Sequence, residues 1–314
     1  MRNGGLHLFG RFEAVDPDGP VRGFEGRKVQ ELFAYLVLQN NKSVQRERLA
    51  DQLWSDLEPN RSKKYLRQSL WQLQKALTTF HVPRHGRLLT VDQEWIWVDR
   101  SAGLHVDVFE FDRAYAAALK VPPGRLEPSV RRELEAAVEL YRGDLLDGWY
   151  CDWVGYHQDL YRSMYLLILD KLMHDAEETG RWELGLLYGQ KVLEVDRANE
   201  RAHVRMMRLH CLGGDRTSAL RQFRTCAQAL QDELGVDPED GTRALYQRIR
   251  TDGHGSVISL PVRHRADDRT GGAEALPLGR LRTLKGLLHE VTGHLHALEQ
   301  EQGDGIRQFP PSSA

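Results

Sequence analysis

The chain has little cysteine and no long apolar run. Only three cysteines occur among 314 residues, and Cys151, Cys211 and Cys226 lack the spacing of a zinc ribbon or a redox pair. We therefore expect buried free thiols instead of a disulfide framework. No apolar stretch reaches the length that a membrane-spanning helix needs, and residues 1–10 do not resemble a secretion signal. These absences predict a cytoplasmic protein with no membrane partner.

The common signatures of enzymes are missing as well. The sequence contains neither Gly-x-x-x-x-Gly-Lys-Ser/Thr nor Gly-x-Gly-x-x-Gly, so it predicts no phosphate-binding loop. His289 and His294 resemble a zinc-protease pair, but they stand five residues apart and would point about 140° away from each other on a helix. His81 and His85 are interpreted as surface side chains of a loop. We predict no catalytic residues, no metal and no cofactor.

The sequence does contain a cationic segment that lacks acidic residues. Residues 59–91 hold no Asp or Glu, although the whole chain carries 43 Lys and Arg against 45 Asp and Glu. Leu66, Leu70, Leu73 and Leu77 are spaced four, three and four, which places them on one side of a helix. The other positions supply cations, amides and an indole, namely Lys63, Lys64, Arg67, Gln68, Trp71, Gln72 and Lys75. Such side chains contact phosphates and base edges in a DNA major groove, although a solvated charged face is the simpler alternative.

Charge is also divided unevenly along the chain. Residues 1–100 hold 16 Lys and Arg against 12 Asp and Glu, whereas the remainder holds 27 against 33. A cationic module joined to an acidic one is typical of a DNA-binding domain attached to a domain with another task.

The first 100 residues predict a winged helix-turn-helix. Alternating apolar residues over 6–15 indicate short strands, and apolar residues at helical spacing predict helices over 28–39 and 46–54. The cationic helix is predicted over 62–77 with Ser62 as its N-cap, and residues 88–98 predict a hairpin.

Residues 104–250 predict an all-α domain. Amphipathic helices are expected over 107–120, 129–141, 152–179, 182–195, 199–213, 215–234 and 239–250. At an offset of 34 residues Gly185 aligns with Ala219 and Leu172 aligns with Met206, which is the period of tetratricopeptide repeats. Unrelated helical hairpins are the alternative. The expected fold is mainly α with small β elements, an N-terminal winged helix-turn-helix followed by an all-α tetratricopeptide-like domain.

The rest of the chain predicts a flexible linker and one further helix. Residues 251–275 are rich in Gly, Asp, Arg and His, which is typical of a linker. Residues 276–302 predict an amphipathic helix with an apolar seam at Leu281, Leu284, Leu288, Val291, Leu295 and Leu298. Self-association, docking onto the chain's own helices and a frayed tail are all compatible with this seam.

Several motifs in this order resemble the Streptomyces antibiotic regulatory protein family. They are Gly26-Arg-Lys, Arg46-Glu-Arg-Leu-Ala-Asp-Gln-Leu-Trp, Leu66-Arg-Gln-Ser-Leu-Trp-Gln-Leu-Gln-Lys-Ala-Leu, Val106-Asp-Val-Phe-Glu-Phe-Asp, Leu140-Tyr-Arg-Gly-Asp-Leu-Leu, Ala219-Leu-Arg-Gln-Phe and Glu233-Leu-Gly-Val-Asp-Pro. Family members join an OmpR-type winged helix to a bacterial transcriptional activation domain. The resemblance implies an activator of a biosynthetic gene cluster for a secondary metabolite. It also implies a nucleoid-associated homodimer that binds direct repeats of double-stranded DNA near a promoter and recruits RNA polymerase.

The resemblance also implies roles for individual residues. Arg67, Gln68, Trp71 and Gln72 would face bases, and Lys63, Lys64 and Lys75 would contact phosphate. Arg46 and Arg48 would brace the DNA backbone. The loop 55–61 would contact polymerase through Asp56, Glu58 and Asn60.

The sequence departs from the family pattern in two places. Trp71 and Gln72 stand where members usually have Ser and Arg, so a different base preference is expected. Asp92 and Glu94 occupy the wing in place of a Gly-x-Gly-Tyr turn, so we expect this acidic wing tip to avoid the DNA phosphates.

A second hypothesis places the main function in the helical repeats. The protein would then be a helical-repeat scaffold or an effector-sensing adaptor with weak DNA affinity. Trp149, Trp153 and Tyr156 could line an effector pocket, although aromatic packing in the core is the simpler interpretation.

Overall fold

The computed structural model describes residues 5–39, 42–80, 87–122 and 124–252, which are mainly helical. The described residues begin with a small antiparallel sheet made of β1 (Gly5–His7), β2 (Glu13–Asp16) and β3 (Gly19–Pro20). Asp16 pairs with Gly19 across a turn, where Gly19 adopts a φ of 133° that favours glycine. These strands agree with the alternating pattern at the N-terminus.

Three helices and a hairpin follow this sheet. The helices are α1 (Arg27–Leu38), α2 (Arg46–Leu53) and α3 (Pro59–Thr79). Strand β4 (Val44–Gln45) precedes α2 and pairs with β6 (Trp95–Val98), which also pairs with β5 (Leu89–Val91). The prediction of a winged helix-turn-helix is confirmed.

The start of α3 differs from the prediction. The helix begins at Pro59, and Ser62 is buried inside it with its hydroxyl donating to the Pro59 carbonyl at 3.0 Å. The assignment of Ser62 as N-cap is therefore wrong. Proline suits a first helical turn because its missing N–H would have had no helical partner there. Asn60, which we expected in the preceding loop, consequently lies in the first turn of α3.

Seven helices make up the remainder of the described chain. They are α4 (Asp107–Lys120), α5 (Pro128–Leu140), α6 (Asp152–Glu178), α7 (Trp182–Val195), α8 (Glu200–Leu212), α9 (Arg216–Leu234) and α10 (Asp240–Asp252). Each end falls within two residues of its prediction. None of the helices in the described ranges is long and apolar enough to cross a membrane.

Small residues bring the paired helices close together. A Cβ added at Gly185 on α7 would lie 2.8 Å from a methyl group of Leu209 on α8, so glycine permits this approach. Gly180 and Gly214, which are 34 residues apart, both adopt positive φ, of 71° and 82°, in the turns before α7 and α9. The two aligned segments therefore share their turn geometry.

The segment 5–10 joins the winged helix to the helical region α4–α10. The Leu6 N–H donates to the His105 carbonyl at 2.9 Å, and the Leu146 N–H donates to the Leu8 carbonyl at 2.7 Å. The Asp107 carboxylate accepts from the N–H groups of Leu8 and Phe9 at 2.8 and 3.0 Å. Asp107 is buried, and this desolvation raises the pKa of its carboxyl to about 6 against the opposing effect of the hydrogen bonds.

Aromatic side chains fill the space around this segment. The Phe9 ring lies 4.9 Å from Phe111, 5.0 Å from Tyr141 and 5.3 Å from Tyr161, measured between ring centroids. A further ring cluster pairs Phe12 with Trp149 and Tyr35 with Trp153. The winged helix and the helical region thus share one hydrophobic core, which includes Trp149 and against which the partly buried Trp153 packs.

The predictions for the C-terminal part fall almost wholly outside the described residues. Helix α10 continues through Asp252, two residues into the predicted linker 251–275. The remainder of that linker and the amphipathic helix 276–302, with its histidines at 289 and 294, lie outside the described residues, as do His81 and His85.

We expect Asp107→Asn to lower the free energy of unfolding by about 1–3 kcal/mol. The substitution replaces one carboxylate oxygen with an NH2 group, which cannot accept the hydrogen bonds that the backbone N–H groups donate there. Urea unfolding followed by circular dichroism measures this change. Asp237→Asn, at an exposed position, is the control and should leave the midpoint unchanged. Equal midpoints for both variants would show that the buried carboxylate does not stabilise the junction.

Candidate nucleic-acid interface

Helix α3 buries one side and exposes the other. Its apolar stripe packs into the core of the winged helix through Leu66, Leu70, Leu73 and Ala76, with Leu77 partly buried. All seven predicted DNA-facing residues of this helix are exposed: Lys63, Lys64, Arg67, Gln68, Trp71, Gln72 and Lys75. The buried leucines therefore fix which side chains of α3 face outward.

The loop before α1 holds the second half of α3 closely. Gly23 adopts a φ of 99°, and a Cβ added there would lie 2.7 Å from the Cβ of Ala76. Both the backbone conformation and the close approach require glycine at this position.

Two of the exposed cations of α3, Arg67 and Lys75, make only weak contacts within the chain. The Lys75 ammonium lies 5.6 Å from the centroid of the Trp71 ring, within cation–π range. The Arg67 Nε donates to the Lys63 carbonyl at 3.4 Å, a weak contact on its own helix. These weak contacts leave the charged groups of Arg67 and Lys75 available to an anion outside the chain.

A cleft of about 460 Å³ separates α2, α3 and the β5–β6 hairpin. It is lined by Gln45, Arg46, Glu47, Lys63, Leu66, Arg67, Gln93 and Glu94. The half-buried Arg46 donates from Nη1 to the Asp92 carbonyl at 3.2 Å, and its backbone N–H donates to the Glu94 carbonyl at 2.9 Å. Arg46 thus holds the wing against α2, whereas Arg48 is exposed.

An ion pair at the edge of this cleft was not anticipated from the sequence. The Lys63 ammonium lies 2.6 Å from a carboxylate oxygen of Glu47, and both side chains are exposed. The hydrogen bond and the charge of Lys63 lower the pKa of the Glu47 carboxyl. Glu47 therefore partly neutralises the charge of Lys63 within the chain.

The wing tip and the loop before α3 both expose acidic groups. Asp92 and Glu94 are exposed at the turn between β5 and β6, where they would repel DNA phosphates. Asp56 and Glu58 are exposed in the loop before α3, and Asn60 is exposed on its first turn. Among the described residues, no group of three or more His, Cys, Asp or Glu side chains could hold a metal ion.

Known proteins match both the sequence and this architecture. Residues 106–250 match the family model of the bacterial transcriptional activator domain. The chain is 23% identical over 266 residues to the transcriptional regulatory protein MoaR1 of Mycobacterium bovis (strain BCG / Pasteur 1173P2) and of Mycobacterium tuberculosis (strain ATCC 25618 / H37Rv), a match that covers 78% of this chain and 79% of each relative. Residues 106–250 therefore match the second of the two domains that the Streptomyces antibiotic regulatory protein family combines, in agreement with the resemblance of the whole sequence. The chain is a transcriptional regulator of this type.

A solved structure shares the fold of this chain. It is Mycobacterium tuberculosis EmbR in complex with a low-affinity phosphopeptide, with a TM-score of 0.63 and 22% sequence identity. The match covers 78% of this chain and 64% of the EmbR chain, so it spans less than two thirds of that protein. The printed descriptions of both MoaR1 relatives name a transcriptional regulatory protein.

We expect Glu47→Gln to tighten binding to duplex DNA several-fold, because Lys63 would lose its internal counter-charge and become free to pair with a phosphate. The slope of log affinity against log salt should steepen by about 0.9, as one more phosphate contact forms. Fluorescence anisotropy at several salt concentrations measures both quantities.

Asp51→Asn, one turn further along α2, changes net charge equally without removing the ion pair. A general effect of charge would tighten binding equally in both variants and would exclude a specific role for the Glu47 pair.

Proposed function

We propose that this regulator binds double-stranded DNA by placing the exposed face of α3 in a major groove. The observation that carries the proposal is the arrangement of α3, whose leucines are buried while its cations, amides and indole are all exposed. Cations that lack acidic neighbours along the helix suit a polyanion, because a typical solvated helix mixes both signs of charge. Arg48 on α2 would add a backbone contact beside this face.

The family supplies the rest of the proposal. We infer that two copies bind direct repeats near a promoter as a homodimer on DNA and recruit RNA polymerase. The regulated genes would form a biosynthetic cluster for a secondary metabolite, and the protein would act in the cytoplasm on the nucleoid. Exposed Asp56, Glu58 and Asn60 lie next to the proposed DNA-binding face, where a polymerase subunit bound beside the promoter could reach them.

We expect Arg67→Ala and Gln72→Ala each to cost about 1–3 kcal/mol of discrimination between the preferred operator and altered sequences. Both side chains are exposed, so the fold should be unaffected. Mobility-shift titrations with an operator selected from random duplexes measure the change. Arg224→Ala, which removes the same charge as Arg67→Ala at an exposed position of α9, should bind and discriminate like the parent. If both α3 variants discriminated between the operator and altered sequences as well as the parent does, α3 would not be the helix that contacts the bases.

We expect the double substitution Asp56→Asn and Glu58→Gln to reduce transcription from the target promoter without weakening operator binding. The two carboxylates lie in the loop before α3, so their loss removes a polymerase contact and leaves the DNA-facing side chains in place. Transcription with purified polymerase, measured beside operator affinity, separates the two effects. Unchanged transcription at saturating regulator would remove this loop from the polymerase contact.

An effector-sensing adaptor is the second candidate, and a cleft in the helical region favours it. This cleft of about 410 Å³ is lined by Val138, Glu139, Tyr141, Arg142, Gly143, Tyr165, Lys191, Glu194 and Val195. Tyr141 and Tyr165 stack there with ring centroids 4.0 Å apart. If the full chain bound DNA weakly, with an affinity nearly independent of salt concentration, this candidate would be favoured over a DNA-binding activator.

A further inference from the structure

Four side chains form the most outward ridge of α3. At 100° per residue, Lys64, Gln68, Trp71 and Lys75 fall within about 60° of arc, opposite the buried leucines. All four are exposed. The same projection places Arg67 on one flank of this ridge and Gln72 on the other. The centre of the ridge is therefore an amide beside an indole, with one lysine at each end.

The length of the ridge suits the width of a major groove. Lys64 and Lys75 are eleven residues apart, which is about 16 Å along a helix. A B-DNA major groove is about 12 Å wide, so the two ammonium groups can reach phosphates on its opposite edges. Gln68 and Trp71 would then lie over the floor of the groove. They are three positions apart in the sequence, a rise of about 4.5 Å that is comparable to the spacing of one base-pair step.

The exposed indole is unusual enough to indicate a ligand. Trp71 is 62% exposed, although a tryptophan side chain gains more from burial than most others. Its contact with the Lys75 ammonium covers only part of the ring. A flat apolar surface next to an amide, held between two phosphate-binding lysines, fits an apolar group on the floor of the groove. The thymine 5-methyl group is the apolar group that a B-DNA major groove displays there.

We propose that Gln68 and Trp71 read neighbouring base pairs of each half-site, Gln68 an adenine through its N6 and N7 and Trp71 a thymine through its 5-methyl group. The proposal rests on the proposed binding of DNA by α3 and adds to it the bases at the centre of the half-site. A glutamine amide can both donate to N7 and accept from the N6 amino group of adenine, a pairing that no other base offers in this groove.

Operators altered at single atoms test this base assignment. The full chain first selects its operator from random duplexes, and each thymine is then replaced by uracil, which lacks the methyl group. Anisotropy titrations should show one position at which this replacement weakens binding about fourfold, the effect of one buried methyl group. A neighbouring adenine replaced by 7-deazaadenine should weaken binding by about fivefold or more through the loss of N7.

Matched variants assign each effect to its side chain. Trp71→Ala should abolish the sensitivity to uracil, and Trp71→Phe should keep part of it. Tyr65→Ala, which removes a second exposed aromatic from α3 outside the ridge, should leave that sensitivity at the parental level. Gln68→Ala should abolish only the sensitivity to 7-deazaadenine.

The outcomes separate this base assignment from the proposed function. Tight, selective binding with no thymine methyl effect, or a methyl effect that persists in Trp71→Ala, overturns the assignment and leaves DNA binding intact. Failure of the full chain to enrich any duplex overturns both.

Discussion

The burial of the leucine stripe of α3 is the constraint on which the proposed interface depends. Leu66, Leu70 and Leu73 are almost fully buried, so α3 cannot rotate about its axis without exposing them to water. That one orientation decides which side chains are outermost, and Gly23 keeps the neighbouring loop close against Ala76. The proposed DNA-facing surface therefore consists of the residues that the sequence places opposite the core positions of α3.

Most of the fold could be predicted because its signals are local. A helix repeats every 3.6 residues, so the apolar positions of α4 to α10 reveal helix ends to within two residues. The exposed positions of α3 could be predicted for the same reason, since they are the complement of its stripe. The start of α3 could not, because Ser62 and Pro59 are both acceptable at a helix N-terminus and the tertiary structure extends the helix to the proline.

Contacts between distant parts of the chain left no signal in the sequence. Glu47 and Lys63 are 16 residues apart and meet only because α2 and α3 pack together. Asp107 accepts hydrogen bonds from Leu8 and Phe9, about a hundred residues earlier, and an aspartate at the start of a helix would ordinarily be interpreted as helix stabilisation alone. Each of these residues has a plausible local role in the sequence, so the sequence alone does not indicate the long-range contact.

These long-range contacts bear on how the two parts of the regulator could act together. Interfaces between domains are often small and polar, and relative motion is then expected. Here the Phe9 ring lies among aromatic rings of the helical region, and the guanidinium of Arg27, the first residue of α1, lies 3.8 Å from the centroid of the Trp149 ring. Helix α1 in turn packs against α3. A DNA duplex bound to α3, as proposed, would therefore hold the helical region at a fixed place beside the promoter. A partner of that region would be positioned by rigid packing, with no flexible hinge required.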